Sequence, residues 1–361
     1  MVVDAAALQA VGARSGVGTY TRQLLGALAG NGTGSVWALA GPDAELPTNV
    51  GRLTVHRRAR RPRLEVVEHA TRLPGDLARL RPAGAVFHNP GFHAPLGVRG
   101  PWVQTLLDVI PLVLDHPDLA ALKARWKRFG PRYAKADAVI AISAHAAGEG
   151  IRLLGLDPAR VTVAPLGVDP SFCPGGEPVD PPYLLMVSEY SRRKGFDRAF
   201  GVIDELAELG YGHRLKVIGR IQGWQHSEVA ALRAAARHPD RIELCGFVPD
   251  LVAAYRGASA VVVTTRYEGF GLPALEAMAC GAPVVAFANS AVREVVTGGG
   301  ILVDDGDVPA MVAAVRQLLD HPELAGEWRQ RGPERAATFT WARSAAIHAE
   351  VYRHVSAGGG R

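Results

Sequence analysis

Short apolar runs alternate with amphipathic stretches along both halves of the chain. In the first half the runs "MVVDAAAL", "GAVFHNP", "WVQTLLDVI" and "AVIAIS" predict strands, and "GTYTRQLLGALAG" predicts a helix after a glycine turn. In the second half "YLLMVS", "RLKVIG", "RIELCG", "AVVVTT" and "APVVAF" predict strands, separated by predicted helices at 196–209, 227–236, 250–257 and 273–280. Such alternation is typical of buried parallel sheet. It predicts an α/β protein with two doubly wound, Rossmann-like parallel-sheet domains.

A proline-rich interruption separates the two halves. Residues 169–182 hold prolines at 170, 174, 178, 181 and 182, a composition that suits a linker and cannot form the interior of an element. We therefore predict an N-terminal domain over 1–167 and a C-terminal domain over 168–341. The last predicted helix, 342–357, carries an apolar stripe that needs a surface to pack against.

Composition narrows the class of protein. A chain of 361 residues exceeds the usual size of one core, which fits two domains. No apolar run approaches the length of a membrane span, and Met1 leads directly into a predicted strand without a signal peptide. Cys173, Cys245 and Cys280 are far apart, so we expect neither a disulfide framework nor a metal cluster, and a cytoplasmic location. The net charge of +5 favours anionic partners.

The stretch "RYEGFGLPALEAMACGAPVV", residues 266–285, carries the strongest candidate chemistry. Its glycines and proline exclude a continuous helix, so it predicts a strand end, a loop and then a helix with Pro273 near its start. Glu268 then ends the strand, Glu276 lies about one turn into the helix, and the loop amides between them form an anion site. Each glutamate alone could be an ordinary surface carboxylate. Hydroxyl acceptors beside a phosphate-binding loop are what a sugar nucleotide requires.

Two further loops follow predicted strands. In "YLLMVSEYSRRKGF", Arg193 and Lys194 precede Gly195 and a helix, where they could bind phosphate or form only a solvated basic turn. In "ARSGVGTYTRQLL", Gly16 and Gly18 open a helix, which fits a phosphate loop and a plain tight turn equally well. In α/β proteins the loops at the carboxyl ends of strands are the usual ligand-binding sites.

Together these stretches resemble the retaining glycosyltransferases of family 4, which have the GT-B fold of two Rossmann-like domains facing a cleft. The resemblance covers most of the chain: "EGFGLPALE" matches the family's paired-glutamate motif, "SRRKGF" its basic turn, and "RSGVGTYTRQLLGAL" its amino-terminal glycine loop. The residues of "YEGFGLPALEAMACG" most resemble the same motif in bacterial mannosyl- and hexosyltransferases.

The resemblance implies a role for each matched position. Glu276 would accept hydrogen bonds from the donor ribose, and Glu268 would contact hydroxyls of the transferred sugar. Arg193 and Lys194 would neutralise the diphosphate as candidate catalytic groups. The other implied donor-binding positions are Gly16, Gly18, Ser188 and the amides of Phe270, Gly271 and Leu272. The final helix would cross back onto the first domain.

The chain departs from the family pattern at two places. The family commonly has a His-Asp pair where this chain has Leu107 before Asp108, so Asp108 is kept as a candidate catalytic group while the identity of the sugar is left open. His88 and His93 lie nearby in the sequence, and we assign them to the acceptor side. Ser188 and Glu189 stand where many members have Gly-Arg, which leaves Arg193 and Lys194 to carry the positive charge.

We expect the chemistry to need no metal and no cofactor, with a nucleotide diphosphate sugar as the donor substrate. Asp304, Asp305 and Asp307 resemble an ordinary turn of the family more than a metal site. Attack on the same face as the departing diphosphate needs no carboxylate nucleophile, and cations aimed at the leaving group lower the barrier.

The acceptor is the least specified part of the sequence. A glycan, a glycolipid or a small molecule would each fit. Two basic segments, Arg57 to Arg63 and "LKARWKRFGPRYAK", could contact an anionic membrane at the inner face or form a solvated surface, and no motif for reading nucleic acid accompanies them. The leading hypothesis is a hexosyltransferase using GDP-mannose, with UDP-sugars as the alternative. The rival is a sugar-nucleotide-binding subunit with little turnover, suggested by Leu107.

Overall fold

The chain divides into two units in the computed structural model, which describes residues 1–8, 15–32, 34–55, 72–92, 94–115, 119–176 and 178–358. The first unit comprises Met1–Gly167 and Thr340–Arg361, and the second comprises Val168–Phe339. The last segment of the chain therefore belongs to the first unit. Each unit is organised around one parallel sheet.

The first unit has a parallel sheet whose described strands follow the order β3-β2-β1-β4-β5-β6-β7. These strands are β1 (Val2–Asp4), β2 (Trp37–Ala40), β3 (Gly51–Thr54), β4 (Phe87–Asn89), β5 (Trp102–Leu106), β6 (Ala138–Ala141) and β7 (Val161–Val163). The first helices are α1 (Gly16–Gly30), α2 (72–80), α3 (Ile110–Val113), α4 (Ala120–Phe129) and α5 (Ala144–Leu154). The central strands are buried on both faces, as helices on each side of a parallel sheet require.

The second unit repeats this architecture with the strand order β10-β9-β8-β11-β12-β13. Its strands are β8 (Tyr183–Val187), β9 (Arg214–Ile218), β10 (Ile242–Gly246), β11 (Ala260–Val263), β12 (Val284–Phe287) and β13 (Ile301–Val303). Its helices are α6 (Phe196–Glu208), α7 (His226–Ala234), α8 (Leu251–Arg256), α9 (Leu272–Ala279), α10 (Ser290–Val296), α11 (Val308–Asp320) and α12 (Pro322–Ala336). All strand pairs in both sheets are parallel, which confirms the predicted fold class.

The last helix, α13 (Trp341–Ser356), packs on α1 within the first unit. It begins at the Thr340 cap, whose hydroxyl accepts the Arg343 amide at 3.1 Å. A Cβ at Gly167 would lie 2.2 Å from the backbone nitrogen of Trp341, so the chain can approach the start of α13 only because residue 167 is glycine. The apolar stripe predicted for this helix is buried at Val351 and Val355.

A basic surface covers α4 and the turn that follows. Trp126 is buried against Tyr133, with ring centroids 5.4 Å apart, whereas Lys127 and Arg128 are exposed. Arg132 lies over the ring of Phe129 at 4.7 Å. The predicted arginine run between residues 57 and 63 lies outside the described residues. No helix in the described part of the chain has the length and apolar character needed to cross a membrane.

Candidate active site

The loops that follow β8 and β11 lie at the point where the strand order of the second sheet reverses. From β8 the chain proceeds outward to β9 and β10, and then returns to β11, which pairs directly with β8. Loops at the carboxyl ends of strands diverge at such a point and leave a crevice for a ligand. The basic turn follows β8 and the paired-glutamate loop follows β11, so topology brings these two predicted segments together.

Threonines after β11 hold the basic turn in place. The Thr264 hydroxyl donates to the Gly195 carbonyl at 2.9 Å, and the Thr265 hydroxyl donates to the Arg193 carbonyl at 3.2 Å. The amide of Arg266 donates to the same Arg193 carbonyl at 2.7 Å. Gly195 has φ of 70°, and a Cβ there would lie 2.1 Å from the Thr264 carbonyl oxygen. Only glycine allows this close approach of the two loops.

Glu268 forms ion pairs with both cations of the basic turn. Its carboxylate contacts the Lys194 ammonium and lies 3.4 Å from the Arg193 guanidinium. The side chains of Lys194 and Glu268 are each 15% exposed, so water screens the pair only weakly. Burial alone would raise the pKa of Glu268, but the charges of Lys194 and Arg193 outweigh it and hold the pKa below its usual value. The three groups together carry one net positive charge.

The start of α9 presents backbone amides beside this cluster. Gly271 caps the helix in the left-handed region with φ of 109°, and Pro273 occupies its first turn. The amides of Phe270, Gly271 and Leu272 make no hydrogen bond to any group in the described residues. Amides of this kind at a helix N-terminus attract anions, and the positive end of the helix dipole adds to the effect.

A small cavity of about 20 Å³ joins the two loops. Its walls include Ser188 after β8, Lys194 and Glu268 from the ion-pair cluster, and Gly271 at the start of α9. The Ser188 hydroxyl donates to the Glu189 carbonyl at 3.0 Å. Four residues predicted separately from sequence thus line one cavity of the second unit.

Glu276 lies one turn further along α9 in a different environment. The Tyr255 hydroxyl donates to its Oε2 at 3.0 Å. Burial raises the pKa of Glu276 to about 7, the Tyr255 hydrogen bond opposes that rise, and the negative charge of Asp169 adds to it. The carboxyl is therefore divided between its neutral and ionised forms at neutral pH, whereas Glu268 is ionised.

Several positioning residues escaped the sequence prediction. The amide of Glu268 donates to the Ser290 hydroxyl at 2.9 Å, and the Asn289 side chain donates to the Thr265 carbonyl at 2.7 Å. Both residues follow β12, the next strand along the sheet. The available signal was the polar pair "NS" one residue after the predicted strand "APVVAF", at the same edge as the other loops.

The first unit contains the remaining candidates. Gly16 and Gly18 begin α1, where the Gly18 amide donates to the Ser15 hydroxyl at 3.1 Å. This geometry is that of an N-capped helix, and the predicted role in donor binding stays a prediction. His93 lies outside the described residues.

His88 lies in the core of the first unit and is fully buried. Its Nε2 lies 2.7 Å from the Thr105 hydroxyl and its Nδ1 lies 2.7 Å from the Tyr352 hydroxyl. The Tyr20 hydroxyl continues this network from Thr105 to His348, with both contacts at 2.9 Å. Since both ring nitrogens are bonded within the protein, His88 ties α13 to the sheet, and its assignment to the acceptor side remains without geometric support.

Asp108 follows β5 and folds back on the backbone. Its Oδ1 accepts the Ile110 amide at 3.1 Å, which fixes the turn into α3. Leu107, the position where the resemblance leads us to expect histidine, is buried with 6% exposure. The catalytic role predicted for Asp108 stays a prediction.

The side chains of Asp305 and Asp307 have structural partners. Asp305 pairs with Arg198 at 2.8 Å and accepts the Asn289 side chain at 2.8 Å, while Asp307 caps α11 by accepting the Ala310 amide at 2.9 Å. Among the residues with described positions, no group of three histidines, cysteines or acids is arranged to hold a metal ion.

Sequence comparison finds one family match in each half of the chain. The family described as "Glycosyltransferase Family 4" matches residues 14–172, and the family described as "Glycosyl transferases group 1" matches residues 171–335. The second match contains the basic turn, the paired glutamates and Tyr255.

Individual relatives point the same way. The chain is 34% identical over 238 residues to a "D-inositol 3-phosphate glycosyltransferase 2" of Catenulispora acidiphila, with 60% of this chain and 56% of the relative covered. The chain thus spans little more than half the length of that relative. It is 26% identical over 278 residues to an "O-antigen chain mannosyltransferase B" of Escherichia coli, with 71% of both chains covered.

Among solved structures, the sucrose-phosphate synthase of Thermosynechococcus elongatus matches with a TM-score of 0.80 over 99% of both chains. The sequence identity is 22%, so the likeness concerns the fold. It extends over both units and agrees with the two parallel sheets described above.

Proposed function

The chain belongs to the family 4 glycosyltransferases of group 1, and on that premise we propose that it transfers a hexose from a nucleotide diphosphate sugar to an acceptor hydroxyl. The transfer retains the configuration at the anomeric carbon and uses no metal. The observation that carries the proposal is the cluster of Lys194, Arg193 and Glu268 beside the backbone amides at the start of α9, within the segment that matches the group 1 family.

The charges of the cluster fit a sugar diphosphate. Breaking the bond between the sugar and the diphosphate leaves negative charge on the leaving group, and preorganised cations and amide dipoles stabilise that charge. Lys194 and Arg193 supply the cations, and the amides of Phe270, Gly271 and Leu272 supply the dipoles. Glu268 holds both cations in place and can offer its carboxylate to sugar hydroxyls. The anionic diphosphate would loosen the ion pairs of Glu268, because it competes for the same cations.

For the direction of attack we propose the course that the resemblance to the retaining family implies. The acceptor hydroxyl approaches the sugar on the face that the diphosphate leaves, and the departing phosphate oxygen takes the acceptor proton. This course requires no carboxylate nucleophile on the opposite face, in contrast to a double displacement. The new glycosidic bond then has the anomeric configuration of the donor.

The donor that we would test first is GDP-mannose, which the name of the Escherichia coli relative and the motif spelling favour. UDP-glucose and UDP-N-acetylglucosamine are the alternatives, as donors for natural-product or cell-wall biosynthesis. Leu107 stands where family members have a histidine near the sugar, so the sequence identifies the donor sugar less well than it identifies the diphosphate site.

For the acceptor we propose a polyol, glycan or lipid-linked hydroxyl. The name of the Catenulispora relative makes D-inositol 3-phosphate the first small molecule to test. A lipid-linked acceptor is supported by the exposed Lys127 and Arg128 of α4, which would favour an anionic membrane surface. Vesicles with and without anionic lipid, sedimented with the full chain, separate these cases.

The rival function is a sugar-nucleotide-binding subunit with little turnover. The buried Leu107 beside Asp108 is the observation that favours it. The two functions differ in nucleotide release, because a binding subunit would hold donor without cleaving it.

The test is release of nucleotide from a panel of UDP-, GDP- and dTDP-sugars, with D-inositol 3-phosphate and cell-extract acceptors, in buffer with and without a chelator. We expect release with one nucleotide class, unchanged by the chelator, and a product with the donor's anomeric configuration by NMR. Lys194→Met should abolish release. Lys216→Met is the matched control, because that ammonium lies over the Tyr183 ring at the other end of β8. Donor binding without release in every combination would favour the rival.

A further inference from the structure

The loop after β9 runs alongside the loop after β8. The two strands pair in parallel, and their loops continue the contact beyond the ladder. The Ser188 amide donates to the Ile218 carbonyl at 2.8 Å, and the Tyr190 amide donates to the Arg220 carbonyl at 3.1 Å. Because the carboxyl ends of parallel strands meet at one edge of a sheet, Arg220 lies at the edge that carries the basic turn.

Gly219 brings the loop after β9 against a wall of the cavity. A Cβ at this position would lie 1.9 Å from the Ser188 carbonyl oxygen and 2.9 Å from the Glu189 amide nitrogen. Only glycine allows the two backbones to approach so closely. Ser188 lines the cavity together with Lys194. Arg220 therefore directly follows the residue that is packed on the cavity wall.

The guanidinium of Arg220 forms an ion pair with Glu189. Its Nη2 donates to Glu189 Oε1 at 2.9 Å, and the two side chains are 41% and 54% exposed. An ion pair that is exposed to this extent contributes little to stability, because water screens it. The guanidinium can therefore exchange this carboxylate for another anion at little cost.

The ion-pair cluster of the second unit supplies less positive charge than a diphosphate carries negative charge. Lys194, Arg193 and Glu268 together carry one net positive charge, whereas each of the two phosphates of a nucleotide sugar carries a negative charge. Arg220 and Glu189 are neutral as a pair. This chain has Glu189 where the resemblance leads us to expect arginine, and Arg220, on the neighbouring strand, is a cation that contacts this position.

We propose that Arg220 is a third diphosphate-binding cation, whose guanidinium leaves Glu189 and donates to phosphate oxygens when the donor binds. Glu189 positions the guanidinium before the donor arrives. A guanidinium can bind phosphate oxygens through two parallel hydrogen bonds, and it keeps its charge at every accessible pH. This inference rests on the proposed function, in which Lys194 and Arg193 bind the same diphosphate. It adds a binding residue from outside the basic turn and the paired-glutamate loop.

Calorimetric titration of the full chain with UDP and GDP at neutral pH tests the inference. Arg220→Gln should bind the preferred nucleotide about tenfold more weakly than the wild type, because the charge-assisted hydrogen bonds to phosphate exceed the weak ion pair that they replace. Arg214→Gln is the matched control, since Arg214 is exposed at the opposite end of β9 and its loss changes the net charge equally. Arg220→Lys keeps the charge but not the planar fork, so its affinity should lie in between.

Variants of Glu189 distinguish a phosphate contact from a change in local charge. Glu189→Gln should bind nucleotide up to about fivefold more tightly, because Arg220 no longer has to leave a carboxylate. The double variant with Arg220→Gln and Glu189→Gln has the net charge of the wild type. We expect it to bind nucleotide more weakly than the wild type, because the guanidinium is gone. If it binds as tightly as the wild type, Arg220 only neutralises Glu189 and the inference is wrong.

Lys194→Met separates a failure of the inference from a failure of the proposed function. If Lys194→Met loses nucleotide binding while Arg220→Gln binds as tightly as Arg214→Gln, the proposed diphosphate site stands and the inference is overturned. If Lys194→Met binds UDP and GDP as tightly as the wild type, the proposed site itself fails. Arg220 and Arg214 are both exposed, so the two glutamine variants should have the same melting temperature, and a loss of binding confined to Arg220→Gln is then no damage to the fold.

Discussion

Glu276→Gln should make the second unit more stable at alkaline pH while removing its tight donor binding. The folded protein raises the pKa of this carboxyl from 4.5 to about 7, mainly by burial. Glutamine has nearly the same shape, can accept the Tyr255 hydroxyl through its amide oxygen, and does not ionise. The substitution therefore removes the cost of ionising a buried group and little else.

The sign and size follow from the two pKa values. A raised folded pKa contributes stability that is fully present below 4.5 and is lost as the pH rises through about 7. Between pH 5 and pH 8 the wild type should lose at most about 2.5 kcal/mol relative to the glutamine variant, taking about 1.4 kcal/mol per pKa unit. At higher pH the difference should approach a constant value.

Urea unfolding of the full chain at pH 5 and pH 8 measures this difference. The unfolding transition of the second unit is identified as the one that moves to higher urea when donor nucleotide is added. Glu334→Gln is the matched control, because Glu334 is an exposed carboxylate on α12 of the same unit. A difference between the wild type and Glu276→Gln that is the same at pH 5 and pH 8 would refute the raised pKa. Stability gained together with function lost is the pattern expected of a ligand site that is strained when empty.

The remaining predictions concern the two loops and the core of the first unit. Gly195→Ala should lower the free energy of unfolding by about 1–3 kcal/mol and weaken donor binding, because the new Cβ would lie 2.1 Å from the Thr264 carbonyl oxygen. An unchanged melting temperature would contradict this prediction. The Glu268→Gln variant should bind free UDP or GDP at least as tightly as the wild type while losing sugar transfer, because Lys194 and Arg193 would lose their internal counter-ion. Weaker binding of the nucleoside diphosphate by calorimetry would argue against this reasoning. Burial lowers the pKa of His348 to about 4, so between pH 6.5 and about pH 4 the unfolded chain binds a proton that the folded chain does not. The stability of the first unit should therefore fall over this range in an acid titration followed by circular dichroism. Constant stability over the range would disprove the prediction.

Much of the site could be predicted because short sequence segments determine its loops and helix starts. Gly271 and Pro273 predict the start of a helix, and α9 runs over Leu272–Ala279 against the predicted 273–280. Glu268 was predicted to end the strand, but β11 ends at Val263 and Glu268 lies in the loop before α9, while Glu276 lies within the helix as predicted. The predicted strand "AVVVTT" is two residues too long, since Thr264 and Thr265 leave the ladder to bond the basic turn.

Other features depend on packing between distant parts of the chain. The pKa of Glu276 is raised mainly by burial. The hydrogen bond from Tyr255, on the earlier helix α8, opposes the rise, and the charge of Asp169, which is distant in the sequence, adds to it. His88 looks like a candidate ligand in the sequence, but its partner Tyr352 is 264 positions away. The sequence prediction missed the short strands β2, β3, β7 and β13. The apolar runs of β2 and β13 are only four and three residues long, and β3 and β7 contain polar residues.

A crystal structure of the full chain with an intact or non-hydrolysable donor tests the central claim most directly. We expect the diphosphate to contact Lys194, Arg193 and the amides of residues 270–272, and the ribose hydroxyls to lie within hydrogen-bonding distance of Glu276 Oε1. Glu268 should then face the sugar. A donor bound elsewhere, with the ion pair of Lys194 and Glu268 intact and Glu276 unoccupied, would contradict the account.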